Sequence, residues 1–126
     1  MAERRMFSNR IIDSDDFLDL PDTTKVLYFY LNMKADDDGF ISNPRGIMRL
    51  LGAKQDDMKL LISKQFIIAF QSGVVVIKDW RIHNYIRNDR KKNTTHLEEQ
   101  KLISLEDNGS YTLNNDCLPN DNQMTT

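Results

Sequence analysis

The chain has 126 residues, 40% of them hydrophobic and 29% charged, which supports one hydrophobic core and excludes most multidomain enzymes. Its apolar runs 66–70 and 74–77 hold five and four residues and none in the chain exceeds six, against the roughly 20 that a membrane-spanning helix needs. The net charge of −2 hides a sorted distribution: residues 1–12 carry +2, 13–38 carry −6, 39–92 carry +7 and 93–126 carry −5. Screening acts over about 8–10 Å, so local charge outweighs the total and the basic block can meet a polyanion. No apolar stretch of the secretory kind accompanies Arg4 and Arg5, and the expected compartment is the cytoplasm, with no membrane partner. The one cysteine, Cys117, leaves no internal disulfide and no multi-cysteine zinc site.

Taken in chain order, Asp22-Thr23-Thr24 is an N-cap cluster before Val26, Leu27, Tyr30, Leu31 and Met33, which predicts a core helix over 23–35. Asp36-Asp37-Asp38-Gly39 stops it, because adjacent short acids favour turns and glycine tolerates positive φ. Phe40, Ile41 and Ser42 follow as a short extended piece. Asn43-Pro44 opens a second helix, with Ile47, Met48, Leu50 and Leu51 expected to face inward and Gly52 as its C-cap. Gln55-Asp56-Asp57 puts acids in the first turn of a third helix whose apolar positions are Met58, Leu61 and Ile62. Two short helices joined through a glycine turn have helix-turn-helix spacing.

Residues 66–71 and 74–79 flank Ser72-Gly73 and predict a β-hairpin in which Phe70 opposes Val75 and Ile68 opposes Ile77. Trp80 is expected as an anchor closing that hairpin. Residues 81–92 then alternate basic, amide and aromatic side chains. Thr95 and Glu98 have capping-box spacing, while Asp107-Asn108-Gly109 suits a three-residue hairpin loop pairing Leu105 with Tyr111 and Ile103 with Leu113. From Asn114 onward the chain is too polar to offset ordering entropy, so a folded domain over 1–113 and a disordered polar tail or linker over 114–126 are expected. Helix, short strand, helix, helix and hairpin make an α+β winged helix-turn-helix plan with a β-hairpin wing.

Catalytic and metal constellations are weak. Asp36-Asp37-Asp38-Gly39 suggests a calcium loop, but Lys34 stands two places before Asp36 and Arg45 six places after Gly39, where such a loop needs oxygen ligands. A turn with a solvated acidic surface accounts for it better. His83 lies in the basic strip, His96 in a polar connection and Cys117 in the tail, which offers no nucleophile held by a base. No glycine-rich phosphate loop is present. Neither a cofactor nor an enzymatic activity is expected.

A binding function fits the charge better. In a winged helix the third helix enters the major groove, the wing lies beside the backbone and flanking segments touch phosphates. That puts Gln55, Lys59 and Ser63 near base edges, and Arg45, Arg49, Lys64, Lys78, Arg81 and Arg87 at phosphates, with Arg90, Lys91 and Lys92 on a flexible arm. Asp56 and Asp57 repel phosphate at the start of the third helix. Either they cap a helix that binds DNA through its middle and wing, or that helix meets a basic protein partner.

Blocks in the same order strengthen the DNA alternative: 1–8 (MAERRMFS), 11–15 (IIDSD), 35–40 (ADDDGF), 72–78 (SGVVVIK) and 80–87 (WRIHNYIR). Over about residues 1–113 the chain resembles the N-terminal domain of replisome organisers, replication initiation proteins of phages and prophages in Gram-positive bacteria, similar in plan to the N-terminal domain of the DnaD primosome protein. The resemblance implies a winged helix that binds double-stranded origin DNA or self-associates into a homo-oligomer, and a role beside host replication proteins. The family continues past a polar linker into a C-terminal region with partner contacts, so the chain is expected to be either the N-terminal module of a longer protein or a small protein reusing it. The resemblance implies no individual contact residues.

Overall fold

The computed structural model describes residues 4–84 and 92–114, and over them the chain is a small α+β domain. Its helices are α1 (Asn9–Ile12), α2 (Asp15–Leu18), α3 (Asp22–Lys34), α4 (Pro44–Leu51), α5 (Gln55–Ser63), α6 (Trp80–His83) and α7 (Leu97–Gln100). Its strands are β1 (Phe40–Ile41), β2 (Ile67–Ala69), β3 (Val75–Ile77), β4 (Ile103–Leu105) and β5 (Tyr111–Leu113). Among the described residues no helix is long and apolar enough to cross a membrane. The expected arm residues Arg87, Arg90 and Lys91, and the expected tail from residue 115 on, lie outside the described residues. Asn114 still belongs to the fold, its N–H donating to Leu102 O at 2.8 Å.

Helices α1 and α2, for which the sequence carries no periodic signal, are single turns, too short to show a helical period. Serine hydroxyls start both: Ser8 Oγ accepts from Arg10 N and Ser14 Oγ from Phe17 N, each at 3.3 Å. Helix α3 buries Leu27 and Leu31 completely, but Val26, Tyr30 and Met33, also assigned to the core, are 46%, 41% and 44% exposed. The helix is apolar on two faces, and packing uses one. Helix α4 begins and ends as expected, with Asn43 Oδ1 accepting from Gly46 N at 3.1 Å and Gly52 at φ +70°. Its Leu50 is turned out to solvent at 69% exposure.

Strands β1, β3 and β2 form an antiparallel sheet in that order. The central β3 has Val75, Val76 and Ile77 all buried, so apolar alternation holds no register information there. The observed pairs are Ile67 with Ile77, Ile68 with Val76 and Ala69 with Val75, one residue away from the expected pairing. The cause is the loop: Phe70 N donates to Val74 O at 2.9 Å, leaving three residues, 71–73, with Gly73 at φ +93°, where two were expected. The second hairpin has the expected register, Ile103 with Leu113 and Leu105 with Tyr111. No capping box forms at Thr95. Its neighbour Thr94 is the buried one, and its Oγ1 accepts from His96 N at 3.1 Å.

The acidic turn is a buried hub, which corrects the expectation of a solvated surface. Asp37 and Asp38 are 2% and 1% exposed. Asp36 Oδ1 accepts from the N–H groups of Asp38 and Phe40 at 2.9 and 3.0 Å, and its Oδ2 from Thr94 Oγ1 at 2.5 Å. Asp37 Oδ2 accepts from Lys92 N at 3.0 Å while its Oδ1 lies 3.4 Å from the buried Arg5 guanidinium. Asp38 Oδ2 accepts from Thr94 N at 2.9 Å, and its Oδ1 stands 3.5 Å from Arg81. Carbonyls serve too: Trp80 Nε1 donates to Asp37 O at 3.0 Å and Tyr111 Oη to Asp38 O at 2.9 Å. Arg5 lies over the Trp80 ring, 5.0 Å from its centroid. Gly39 sits at φ +93°, and a Cβ there would stand 2.7 Å from Trp80 Cγ. Gly39→Ala should therefore lower stability by about 2–4 kcal/mol, the αL cost plus a clash. Gly73→Ala, with the same φ and nothing within 4 Å, should cost only about 1 kcal/mol; urea unfolding of the pair separates the two terms.

A second buried polar link joins the N-terminal segment to the core. Phe7, Phe17, Tyr28, Phe29, Phe66 and His83 form an edge-to-face ring cluster. Ser8 N donates to His83 Nδ1 at 2.9 Å, so the neutral ring holds its proton on Nε2 and donates to Tyr28 Oη, 2.6 Å away. Burial pushes the imidazole from 6.5 down to about 4, partly offset by the Asp79 carboxylate. The unfolded chain then binds this proton at higher pH than the folded one. Stability should be full above about pH 6.5 and fall as the pH drops from there towards 4, by up to about 3 kcal/mol. Urea titrations at pH 7 and 4.5 measure the loss, and His83→Gln should remove most of that slope.

Candidate nucleic-acid interface

The site is built on α4 and α5, both packed on α3. Asp57 fixes α5 to α3: its Oδ1 accepts from Thr24 Oγ1 at 2.6 Å and Thr23 Oγ1 at 2.9 Å, and its Oδ2 from Lys54 N at 3.0 Å. Burial raises the carboxyl, but the bonds from Thr24, Lys54 N and Thr23, with the Lys54 charge, outweigh it and hold it below the ordinary carboxylate range. Asp57 is thus a buried link between helices, and of the two first-turn acids only Asp56 faces solvent. The exposed face of α5 consists of Gln55, Asp56, Lys59, Ile62 and Ser63. It carries one positive and one negative charge.

Beside this face runs a groove of about 510 Å³ between the start of α4, α5 and the β2–β3 loop, with Arg45, Gln55, Met58, Ile62, Phe70 and Ser72 among its lining residues. Arg45 and Arg49 are exposed one turn apart on α4, a spacing that shares a face. Lys64 and Lys78 stand elsewhere, in a polar cleft past the C-terminal end of α5. Arg81 is engaged by Asp38 and lies 3.5 Å from Tyr111 Oη, so its guanidinium serves the fold. Lys92 is exposed, but its backbone N–H is bound to Asp37. Among the described residues, the expected cationic residues therefore divide between the exposed faces of α4 and α5, the cleft at the far end of α5 and the acidic turn.

Three features escaped the sequence reading. Arg10 joins Lys64 and Lys78 in their cleft, from a segment far away in sequence. Asp57 carries a structural role that no local pattern distinguishes from Asp56, except its N3 position relative to Lys54, the reach-back place of a capping box. The β2–β3 loop meets an acid: Ser72 Oγ donates to Glu99 Oε2 at 2.5 Å, a bond that keeps the Glu99 carboxyl below its usual range.

Among the described residues no group of three or more His, Cys, Asp or Glu side chains is placed to hold a metal ion. Comparison of the chain with family models, with curated proteins and with solved structures gives no match. Asp57→Ala, which strands two threonine hydroxyls and the Lys54 N–H, should destabilise the domain by about 2–3 kcal/mol. Thermal unfolding measures this, and Asp56→Ala should leave the midpoint within about 0.5 kcal/mol of the parent.

Proposed function

We propose that this chain is a non-enzymatic winged-helix module that binds double-stranded DNA during initiation of phage replication and acts as an assembly of more than one copy. The observation that carries the reading is topological. A helix, a short strand, a helix pair joined through a glycine turn and a β-hairpin occur in that order, with the sheet ordered β1-β3-β2. The helix pair and the hairpin tip enclose the groove beside the exposed face of α5, where a third helix reads bases and a wing follows the backbone. The resemblance of residues 1–113 to phage replisome organisers supports the same assignment.

A second reading, a protein-interaction module on the same fold, is favoured by the balanced charge of the α5 face and by the exposed Val26, Tyr30 and Met33 on α3. Ionic strength separates the two. Arg45, Arg49, Lys59, Lys64 and Lys78 are among the expected contacts whose side chains have no ion-pair partner among the described residues. Five neutralised phosphates give log K against log salt a slope of about −4 to −5. Fluorescence anisotropy with origin DNA and an unrelated duplex at several salt concentrations should show that slope, and affinity insensitive to salt overturns the DNA reading. Lys59→Ala should change the preference between the two duplexes rather than the slope alone.

A further inference from the structure

We infer that the cleft formed by Arg10, Lys64 and Lys78 is a binding site for the phosphodiester backbone of nucleic acid, an assignment that rests on the DNA-binding reading for the nature of the anion. The three cations come from separate elements: α1, the C-cap of α5 and the residue following β3. They line one polar cleft of about 300 Å³. None has an ion-pair partner within 4 Å among the described residues. The acids of the cleft are Asp16, which is exposed, and Asp79, which is buried and accepts a 2.7 Å bond from Ser110 Oγ. Neither neutralises a lysine directly, and the cleft stays net positive. Arg10 reaches towards Asn108 O at 3.5 Å, beyond the usual hydrogen-bond range of about 2.7–3.2 Å, so most of its guanidinium donors are uncommitted.

The fold holds these side chains on rigid backbone. Lys78 N donates to Phe66 O at 3.1 Å and Lys78 O accepts from Tyr111 N at 2.7 Å. Lys64 precedes Gln65, which at φ +65° reverses the chain, with Gln65 N donating to Ile62 O at 3.0 Å and Phe66 N to Leu61 O at 2.9 Å. Like charges gathered on fixed supports without paired acids repel one another, and an anion between them relieves that repulsion. Location fits as well. The nine residues of α5 span about 13 Å from Gln55, which lines the α4–α5 groove with Arg45, to Lys64 in this cleft, comparable with the roughly 12 Å width of the B-DNA major groove, so one duplex can touch both ends of the helix.

The test uses the full chain with two probes. Inorganic tripolyphosphate, followed by amide chemical shifts, should move the signals of Lys64, Lys78 and Ser110 saturably, and Lys64→Ala with Lys78→Ala should abolish the effect while other signals stay in place. With a DNA duplex, the triple variant Arg10→Ala, Lys64→Ala, Lys78→Ala should make the salt slope shallower by about 2–3 and leave the preference between duplexes unchanged. Non-saturating shifts spread over all basic residues overturn the site. So does a triple variant whose salt slope equals that of the wild type. Saturable tripolyphosphate binding by a wild-type chain that binds no duplex at low salt leaves an anion site but removes its nucleic-acid assignment, together with the DNA reading itself.

Discussion

Three adjacent carboxylates in one turn, two of them almost wholly buried, are the constraint around which this domain is organised. Neighbouring like charges withdrawn from water are unfavourable unless each finds its own compensation, and each aspartate has its own set of donors. Asp36 holds the turn's own amides and Thr94, Asp37 holds Lys92 N and Arg5, and Asp38 holds Thr94 N and Arg81. The turn thereby fastens the N-terminal segment, the chain beyond α6 and the second hairpin to the end of α3. Trp80 covers it, and Gly39 is the residue that lets the ring come so close.

This arrangement changes what the basic residues mean. Arg81 belongs by sequence to the most basic strip, yet its guanidinium lies against Asp38. Arg5 balances Asp37 beneath the Trp80 ring. The surface left for a polyanion is correspondingly smaller and divided, one part near the start of α4 and α5, another past the end of α5. Asp57 governs the relation between them, since it sets α5 on α3 through two threonine hydroxyls. The same buried carboxylate that the sequence presents as a repulsive charge is what keeps the exposed face of α5 in place.

How much was legible depended on where the information lay. Asn43-Pro44 and Gly52 bounded α4 because caps act within one turn. Asp107-Asn108-Gly109 fixed the register of β4 and β5 because a three-residue loop admits only one pairing of its flanks. Ser72-Gly73 misled by one residue, since Gln71 also enters the turn and β3, buried on both faces, has no alternation to correct the register. Val26, Tyr30 and Met33 could not be told from Leu27 and Leu31, because a helix apolar on two sides does not say which side its partners occupy.

By itself the sequence determined the α+β class, the main helices, both hairpins and the sorting of charge along the chain, since each of these follows from contacts or counts within a few residues. Only the tertiary structure decided which charges face outward. A carboxylate is solvated or buried according to donors that arrive from distant segments, as Arg5, Arg81 and Thr94 do at the acidic turn. A cation is available according to whether such a carboxylate has already taken it. Arg10, Lys64 and Lys78 share a cleft for the same reason: chain reversals at Gln65 and at the two hairpins bring together residues whose proximity no local pattern encodes.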